Sequence, residues 1–182
     1  MQERIRVARI TSRLNIGGPT WHVVNLNAGL DRSVFESILI TGPPRPSEGS
    51  LDQYVEEQGI KPITIPGIVP EASIGLRDLK AINRLCRLFR EFRPHIVHTH
   101  TMKAGFVGRI AARISGVPII VHTYHGHILK GYFGSTKSLL LRRLERLLSS
   151  ATSELVAVSE QVRQDLVSLG VARSDRITVI PL

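Results

Sequence analysis

The stretch His98–His127, HTHTMKAGFVGRIAARISGVPIIVHTYHGH, determines how the rest of the chain is interpreted. It is typical of a strand, loop, helix, strand and loop, because the apolar runs IVHTH and IIVHTY flank a segment with helical spacing. Five of the seven histidines of the chain lie in this stretch, at or just after the ends of the two runs. Open α/β sheets bind ligands beyond the carboxyl ends of their strands. The stretch therefore predicts a functional site that is rich in histidine.

Strand and helix patterns alternate on both sides of this stretch. Before it, RVARIT, FESILITG and KPITIP are typical of strands, and residues 76–92 have helical spacing of apolar residues at Leu79, Ile82, Leu85, Leu88 and Phe89. After it, the strand patterns ELVAVS and RITVIP enclose the helical pattern EQVRQDLVSLG. The alternation predicts an α/β fold, with a single Rossmann-like domain over residues 1–182. We expect a mostly parallel sheet of about seven strands with helices on both faces.

Three glycines support the predicted helix ends. Gly59, Gly116 and Gly170 each follow a helical pattern and precede an apolar residue. This arrangement is typical of a left-handed helix cap, in which the apolar residue packs back on the helix.

The composition limits the class of protein. A chain of 182 residues with 42% hydrophobic residues can bury one core without disulfide or metal staples. The single cysteine, Cys86, lies in a helical pattern, so we expect it to pack as a small apolar residue in a reducing compartment. Neither a signal-peptide pattern nor a run of about 18 apolar residues is found. We expect a soluble or peripheral protein of the cytoplasm.

The positive charge indicates an anionic partner. The net charge is +9, and no Asp or Glu lies between Glu91 and Glu145. That interval holds the basic residues Arg93, Lys103, Arg109, Arg113, Lys130, Lys137, Arg142 and Arg143. They form either a solvated basic face or a surface for an anionic ligand or membrane. Aromatic residues make up only 5% and no helix-turn-helix pattern is present, so nucleic acid is not expected as a partner.

The loop SRLNIGGPT follows the first predicted strand and leads into a helix. Free backbone N–H groups and the positive end of the helix dipole make such a loop suitable for phosphate, and Gly17 and Gly18 would allow close approach. A tight turn without a ligand explains the two glycines equally well. The GxGxxG fingerprint of dinucleotide binding and the P-loop pattern are both absent, which argues against NAD and ATPase chemistry.

The histidines of the opening stretch admit three interpretations. Hydrogen-bonded structural histidines at strand ends explain most of them, and we assign His98 and His122 to that group. A zinc site is the second interpretation, but the region offers no carboxylate ligand, and we predict no metal. In the third, one histidine contacts a reacting substrate as acid, base or charge stabiliser, while Lys103 and the glycine loop hold negative charge.

Three segments together resemble a known family. The loop NIGGPTWHVVNL, the segment RPHIVHTHTMKAGFVGRIAARISGVPIIVHTYHGH and the later ELVAVSEQVRQDLVSLGV with ITVIPL resemble the amino-terminal half of the family 4 glycosyltransferases. These are retaining enzymes of the GT-B fold, in which two Rossmann-like domains face each other across a cleft. The resemblance covers almost the whole chain. A subset with similar motifs builds bacterial surface polysaccharides.

The resemblance implies roles for seven residues. Gly17 and Gly18 correspond to the loop that approaches the donor diphosphate, and His125 corresponds to the histidine beside the transferred sugar. The acceptor side would be lined by Thr20, His100, Lys103 and His127.

The resemblance also implies the partners. We expect a nucleotide sugar as co-substrate, no cofactor, and a lipid-diphosphate or saccharide acceptor. The donor-binding domain of the family is not contained in residues 1–182, so we expect this chain alone to be inactive. A non-catalytic anion- or phosphate-binding Rossmann-like module is the alternative interpretation.

The predicted helix STKSLLLRRLERLLSS has an apolar stripe. Its residues Leu140, Leu141, Leu144, Leu147 and Leu148 would cover the sheet. Alternatively, Leu139 with Arg142, Arg143 and Arg146 would contact an anionic membrane at the inner face of the plasma membrane.

Overall fold

A computed structural model describes residues 3–44, 49–69, 74–126 and 135–181 of the chain. Within these ranges strands and helices alternate from end to end, as the sequence predicts. In chain order they are β1 (Ile5–Ile10), α1 (Gly18–Ala28), β2 (Phe35–Thr41), α2 (Asp52–Glu57), β3 (Ile63–Thr64), α3 (Leu76–Phe92), β4 (Ile96–His100), α4 (Met102–Ile114), β5 (Ile119–Tyr124), α5 (Ser135–Ser150), β6 (Glu154–Ala157), α6 (Glu160–Ser168) and β7 (Ile177–Val179). A short 3₁₀ turn, Ser174–Arg176, precedes β7.

The seven strands form one sheet in the order β3-β2-β1-β4-β5-β6-β7, and every neighbouring pair is parallel. The chain therefore builds outward from β1 to one edge, returns through α3, and builds from β4 to the other edge. The predicted α/β class, the parallel sheet and the number of strands are confirmed. The reversal between β1 and β4 creates the crevice in which such folds bind ligands.

Apolar clusters cover both faces of the sheet. One lies between the sheet and helices α3 and α4, and another lies between the sheet and helices α1 and α2. The third joins β5, β6 and β7 to α5 and α6. Burying an aliphatic side chain stabilises the fold by about 1.5–3 kcal/mol, so these clusters hold the helices on the sheet.

Helix α3 differs from the prediction in its first turn. Leu85 and Phe89 are buried as expected, but Leu79 is 63% exposed and Asp78 is buried in its place. Asp78 accepts a hydrogen bond from the Gly75 backbone N–H (2.8 Å) and pairs with Lys103. These two polar contacts turn Asp78 inward, and Leu79 consequently faces outward.

Helix α5 is attached to the fold by a buried polar network. Arg109 of α4 donates two hydrogen bonds to Glu145 of α5 (2.7 and 2.9 Å), and the Tyr124 hydroxyl donates another to Glu145 (2.6 Å). Burial is the main cause that raises the pKa of Tyr124 above its usual range. Because Arg109 is fully buried and Lys103 nearly so, two cations of the predicted basic surface are internal residues.

The leucine stripe of α5 is divided between core and surface. Leu141 and Leu148 are buried against the sheet, whereas Leu139, Leu140 and Leu147 are exposed. The buried pair fits the predicted covering of the sheet, and the membrane contact of this helix stays a prediction.

The predicted glycine caps are confirmed, since Gly59, Gly116 and Gly170 have φ of 67°, 69° and 68°. Cys86 is buried, as expected, with its Sγ 3.7 Å from the Ala111 carbonyl oxygen. Among the described residues, no helix is long and apolar enough to cross a membrane.

Candidate active site

The candidate site lies at the crevice between the carboxyl ends of β1 and β4. The loop after β1 leads to α1, and the residue after β4, Thr101, begins the turn into α4. A 2.6 Å hydrogen bond between the Ser12 and Thr101 hydroxyls joins the two loops. Ser12 Oγ also accepts from the Ala104 backbone N–H at the start of α4 (3.3 Å).

Thr101 has a backbone conformation that is rare for a residue with a side chain. Its φ is 62° and its ψ is 160°, a region that is almost confined to glycine and costs on the order of 1–3 kcal/mol. Such conformations concentrate at ligand-binding and catalytic sites. Sequence reasoning did not single out Thr101, because a threonine between a strand and a helix has no recognisable signal.

The glycine loop forms an open helix start. Gly17 precedes α1, and its carbonyl accepts from the Thr20 and Trp21 backbone N–H groups (3.0 and 3.2 Å). Apart from its own chain neighbours and helix, no described atom lies within 4 Å of where a Cβ on Gly18 would be. Packing within the described chain thus leaves space beside Gly18, which a ligand can occupy.

Thr20 is buried beneath this loop. Its hydroxyl lies 3.3 Å from Asn15 Oδ1 and 3.5 Å from the Arg13 carbonyl oxygen. Thr20 therefore stabilises the glycine loop by hydrogen bonds from the protein interior. Its predicted contact with an acceptor stays a prediction.

Next to the glycine loop is a cavity of about 210 Å³ at the carboxyl ends of β1, β2 and β3. Its polar lining consists of Arg13, Asn15, Thr41, Ser50, Asp52 and Thr64. Amide, hydroxyl, carboxylate and guanidinium groups together supply both donors and acceptors of hydrogen bonds. The cavity is therefore suited to a ligand that is rich in hydroxyl groups.

Three histidines from three different elements meet at the crevice. His100 ends β4, His125 directly follows β5, and His22 lies on α1. His100 Nδ1 and His125 Nε2 are 3.0 Å apart. The ring of His22 lies 5.2 Å from that of His125 and 5.8 Å from that of His100, measured between ring centroids. Hereafter these residues are called the histidine triangle.

His22 is the member of the histidine triangle that the sequence did not reveal. It is a single histidine within the apolar helix WHVVNL, more than 70 residues before its partners. Only its position five residues after Gly17 connects it to a predicted site.

A buried cation lies behind the histidine triangle. Arg9 is 4% exposed and donates to His98 Nδ1 (2.9 Å). Because arginine only donates, His98 Nδ1 must accept, and its Nε2–H donates to the Thr123 hydroxyl (2.8 Å). The ring of His98 also lies 4.2 Å from that of His100. His98 is a hydrogen-bonded structural residue, as predicted.

Burial and positive charge keep the site histidines neutral. Burial lowers the pKa of His125 to about 4, with a further lowering by His22. Burial is also the largest cause that holds the pKa of His100 well below its ordinary value, followed by His98 and Arg9. At neutral pH these imidazoles are therefore uncharged, and His125 can donate or accept a hydrogen bond without carrying charge.

The close approach of His122 explains the glycine of the KAG motif, Gly105. His122 is buried, with its Nδ1 2.8 Å from the Thr99 hydroxyl. A Cβ on Gly105 would lie 2.5 Å from Cε1 of His122. Glycine is thus required for α4 to approach β5 this closely, and His122 is structural, as predicted.

Lys103 lies inside the fold. Its Nζ is 2.8 Å from Asp78 Oδ1, and both side chains are almost completely buried. The structure therefore gives Lys103 a contact with α3, and its predicted acceptor contact stays a prediction. The predicted acceptor residue His127 lies outside the described residues.

Comparison with known proteins identifies relatives of this chain. Residues 17–182 match the model of the glycosyl transferase 4-like domain. The UDP-Gal:alpha-D-GlcNAc-diphosphoundecaprenol alpha-1,3-galactosyltransferase of Escherichia coli is 29% identical over 133 residues, which are 73% of this chain and 34% of that protein. The chain thus spans about a third of the length of that relative.

Solved structures share the fold. A glycosyltransferase from Rickettsia africae superposes with a TM-score of 0.74 at 16% identity, over 99% of this chain and 43% of that one. A UDP-N-acetylglucosamine 2-epimerase from Listeria monocytogenes gives a TM-score of 0.71 at 18% identity, over 97% of this chain and 45% of that one. Transferases and epimerases are therefore not distinguished by fold, and the family match separates them.

Proposed function

The chain belongs to the glycosyl transferase 4-like family, and on this premise we propose that it is the acceptor-side half of a retaining glycosyltransferase. It would take part in moving a sugar from a nucleotide-sugar donor to a lipid-diphosphate or saccharide acceptor in polysaccharide biosynthesis. The observation that carries the proposal is the meeting of the glycine loop, His100 and His125 at the crevice between β1 and β4. A second domain would supply the opposite wall and the nucleotide site.

The glycine loop would hold the donor diphosphate. The free space beside Gly18 lies at the positive end of α1, where backbone N–H groups attract phosphate. His125 would lie beside the transferred sugar and, being neutral, would form a hydrogen bond to a sugar hydroxyl. This bond would fix the orientation of the sugar while the diphosphate departs.

Among the described residues, the hydrogen bond and ring contacts of the histidine triangle join histidines only and involve no carboxylate. A double displacement needs an Asp or Glu nucleophile beside the sugar. This half therefore gives no support to a double displacement. We propose instead that the bond from the sugar to the diphosphate breaks while the acceptor hydroxyl enters on the same face and gives its proton to the departing diphosphate.

The cavity beside the glycine loop would take the acceptor. Its amide, hydroxyl and carboxylate groups suit the hydroxyls of a saccharide, and it shares Arg13 and Asn15 with the loop. Thr20 and His100 are buried, so their proposed acceptor roles would consist of supporting the residues that the acceptor contacts.

An apolar surface near the site suits a lipid-linked acceptor. Leu76 and Leu79 at the start of α3, and Leu139 and Leu140 near the start of α5, are 43–76% exposed. Crossover helices run opposite to their strands, so both helix starts lie toward the carboxyl ends of the strands, where the site is. Exposed arginines and lysines, among them Arg77, Lys80, Arg143 and Arg146, follow or flank these residues. We propose that this apolar surface rests on an anionic membrane at the inner face of the plasma membrane.

Ligand titration separates this proposal from a non-catalytic anion-binding module. We expect the purified chain to bind a lipid-diphosphate glycan analogue more tightly than inorganic diphosphate, because the cavity would add contacts to the sugar. Equal affinity for both ligands would favour the anion-binding module. Tighter, salt-sensitive binding of oligonucleotides would contradict both interpretations.

A further inference from the structure

We propose that His22, His100 and His125 form a binding site for a transition-metal ion such as Zn²⁺, with one nitrogen from each imidazole as ligand. The spacing and the donor chemistry of the histidine triangle support this assignment independently of the proposed function.

The three rings have the spacing that a shared ion requires. Their centroids are 5.2, 5.3 and 5.8 Å apart, which is close to an equilateral triangle. With Zn–N bonds of about 2.0–2.1 Å and tetrahedral angles, the centres of three bound imidazoles lie roughly 5.2 Å apart. The observed spacing exceeds this value by at most about 0.6 Å.

The ligand nitrogens are also close to coordination distance. One nitrogen from each histidine lies within 4.8 Å of the other two. Nitrogens bound to one tetrahedral zinc are about 3.4 Å apart, and His100 Nδ1 and His125 Nε2 are already at 3.0 Å. His100 and His125 face each other head-on in this hydrogen bond, so both rings must turn and half-buried His22 must approach before the three can share an ion.

Each ring also has a nitrogen without a hydrogen-bond partner. These buried atoms are His22 Nδ1, His100 Nε2 and His125 Nδ1, within the described part of the chain. Buried polar atoms in folded proteins are normally bonded. In His100 and His125 these are the ring nitrogens opposite Nδ1 and Nε2, which bond to each other, so an ion held by Nδ1 and Nε2 would replace that hydrogen bond.

The donor set selects the class of ion. Three imidazoles suit Zn²⁺, Co²⁺, Ni²⁺ or Cu²⁺, whereas Mg²⁺ and Ca²⁺ require oxygen ligands. Three protein ligands leave the fourth tetrahedral position open to water or to a hydroxyl group. The positive charge of Arg9 behind His98 opposes a cation, so we expect weaker binding than at a thiolate zinc site.

A consequence for transfer rests on the proposed function. If His125 contacts the transferred sugar, an ion on the histidine triangle occupies the same imidazole. Zn²⁺ would then inhibit transfer in competition with the sugar donor.

Cobalt titration of the purified chain tests the metal site itself. We expect the visible absorption of four-coordinate Co²⁺ to appear and to be abolished by excess Zn²⁺. His22→Ala should weaken Co²⁺ binding by at least about tenfold, since it removes a ligand. His95→Gln is the matched control. His95 lies at the amino end of β4, whereas the histidine triangle lies at the carboxyl end, so this substitution should leave binding unchanged.

Circular dichroism establishes that His22→Ala is folded, which separates loss of a ligand from loss of structure. Absence of the four-coordinate signal in the wild type, or unchanged Co²⁺ affinity in folded His22→Ala, would overturn the metal site. Transferase activity is measured separately, in a chelating buffer, with a protein that carries this domain together with a nucleotide-sugar-binding domain. Failure of cobalt binding together with full activity of that protein would refute the metal site and leave the proposed function intact.

Discussion

Lys103 and Asp78 form a buried ion pair between α4 and α3. The ammonium Nζ lies 2.8 Å from Asp78 Oδ1, and both side chains are almost completely buried. A buried carboxylate that loses its cation is strongly destabilising, so the fold depends on this pair.

Replacing Lys103 with Met should destabilise the chain by about 3–5 kcal/mol, because it leaves the Asp78 carboxylate buried and without its cation. Urea denaturation followed by circular dichroism measures this change. Lys80→Met on the exposed face of α3 is the control and should change stability by less than about 0.5 kcal/mol. A stable Lys103→Met variant with a raised KM for the acceptor would instead support the role predicted from sequence.

His122 should make the stability of the chain depend on pH. Burial holds its pKa in the folded state well below 6.5, with Arg109 adding to the effect. Below about pH 6.5 the unfolded chain binds a proton that the folded chain does not, so stability falls on acidification and is constant above that pH. Each such histidine contributes a slope of up to about 1.4 kcal/mol per pH unit.

The contribution of His122 is isolated by His122→Asn, in which the amide replaces the atom at Nδ1 but does not titrate. We expect the free energy of unfolding, measured between about pH 5 and 8, to fall less steeply on acidification in this variant than in the wild type. The difference in slope corresponds to the uptake of up to about one proton on unfolding. Equal slopes would mean that His122 is protonated in the folded state.

At the level of elements, periodicity predicted which segments are helices but not every face. Leu85 and Phe89 of α3 follow the predicted stripe into the core, whereas Leu79 does not, because Asp78 occupies the inward position. Similarly, the sequence places five leucines of α5 in one stripe, but the Arg109–Glu145 pair fixes the rotation of α5 about its axis and leaves Leu140 and Leu147 exposed. Buried polar contacts between distant segments decide such rotations, and hydrophobic spacing does not contain them.

The apolar surface formed by the starts of α3 and α5 should bind anionic vesicles. We expect the double variant Leu139→Ser/Leu140→Ser to reduce flotation with phosphatidylglycerol vesicles severalfold, because it removes apolar area that the headgroup region would bury. Ile114→Ser is the control, since Ile114 is as exposed as Leu140 but ends α4, toward the amino ends of the strands. Equal flotation with neutral and anionic vesicles would contradict an electrostatic contribution. Unchanged flotation of the double variant would place the contact elsewhere.

For the whole molecule, the sequence was sufficient to predict the fold but not the complete site. Alternating patterns and the glycine caps specify the parallel sheet, because each depends on neighbouring residues only. The site depends on pairs such as Arg9 with His98, which are 89 residues apart and become neighbours through the pairing of β1 with β4. The strand ends predicted a site rich in histidine, and the family resemblance selected His125 and His100 within it, whereas His22 and Arg9 were missed because neither ends a strand pattern.

The histidine triangle is proposed to be the wall of a site for sugar transfer. The kcat of His125→Ala tests this role in a protein that carries this domain together with a nucleotide-sugar-binding domain. We expect a loss of about 100-fold or more in the folded variant, typical of a group positioned at the reacting centre, with His95→Gln close to the wild type. A folded His125→Ala enzyme with near wild-type kcat would contradict it.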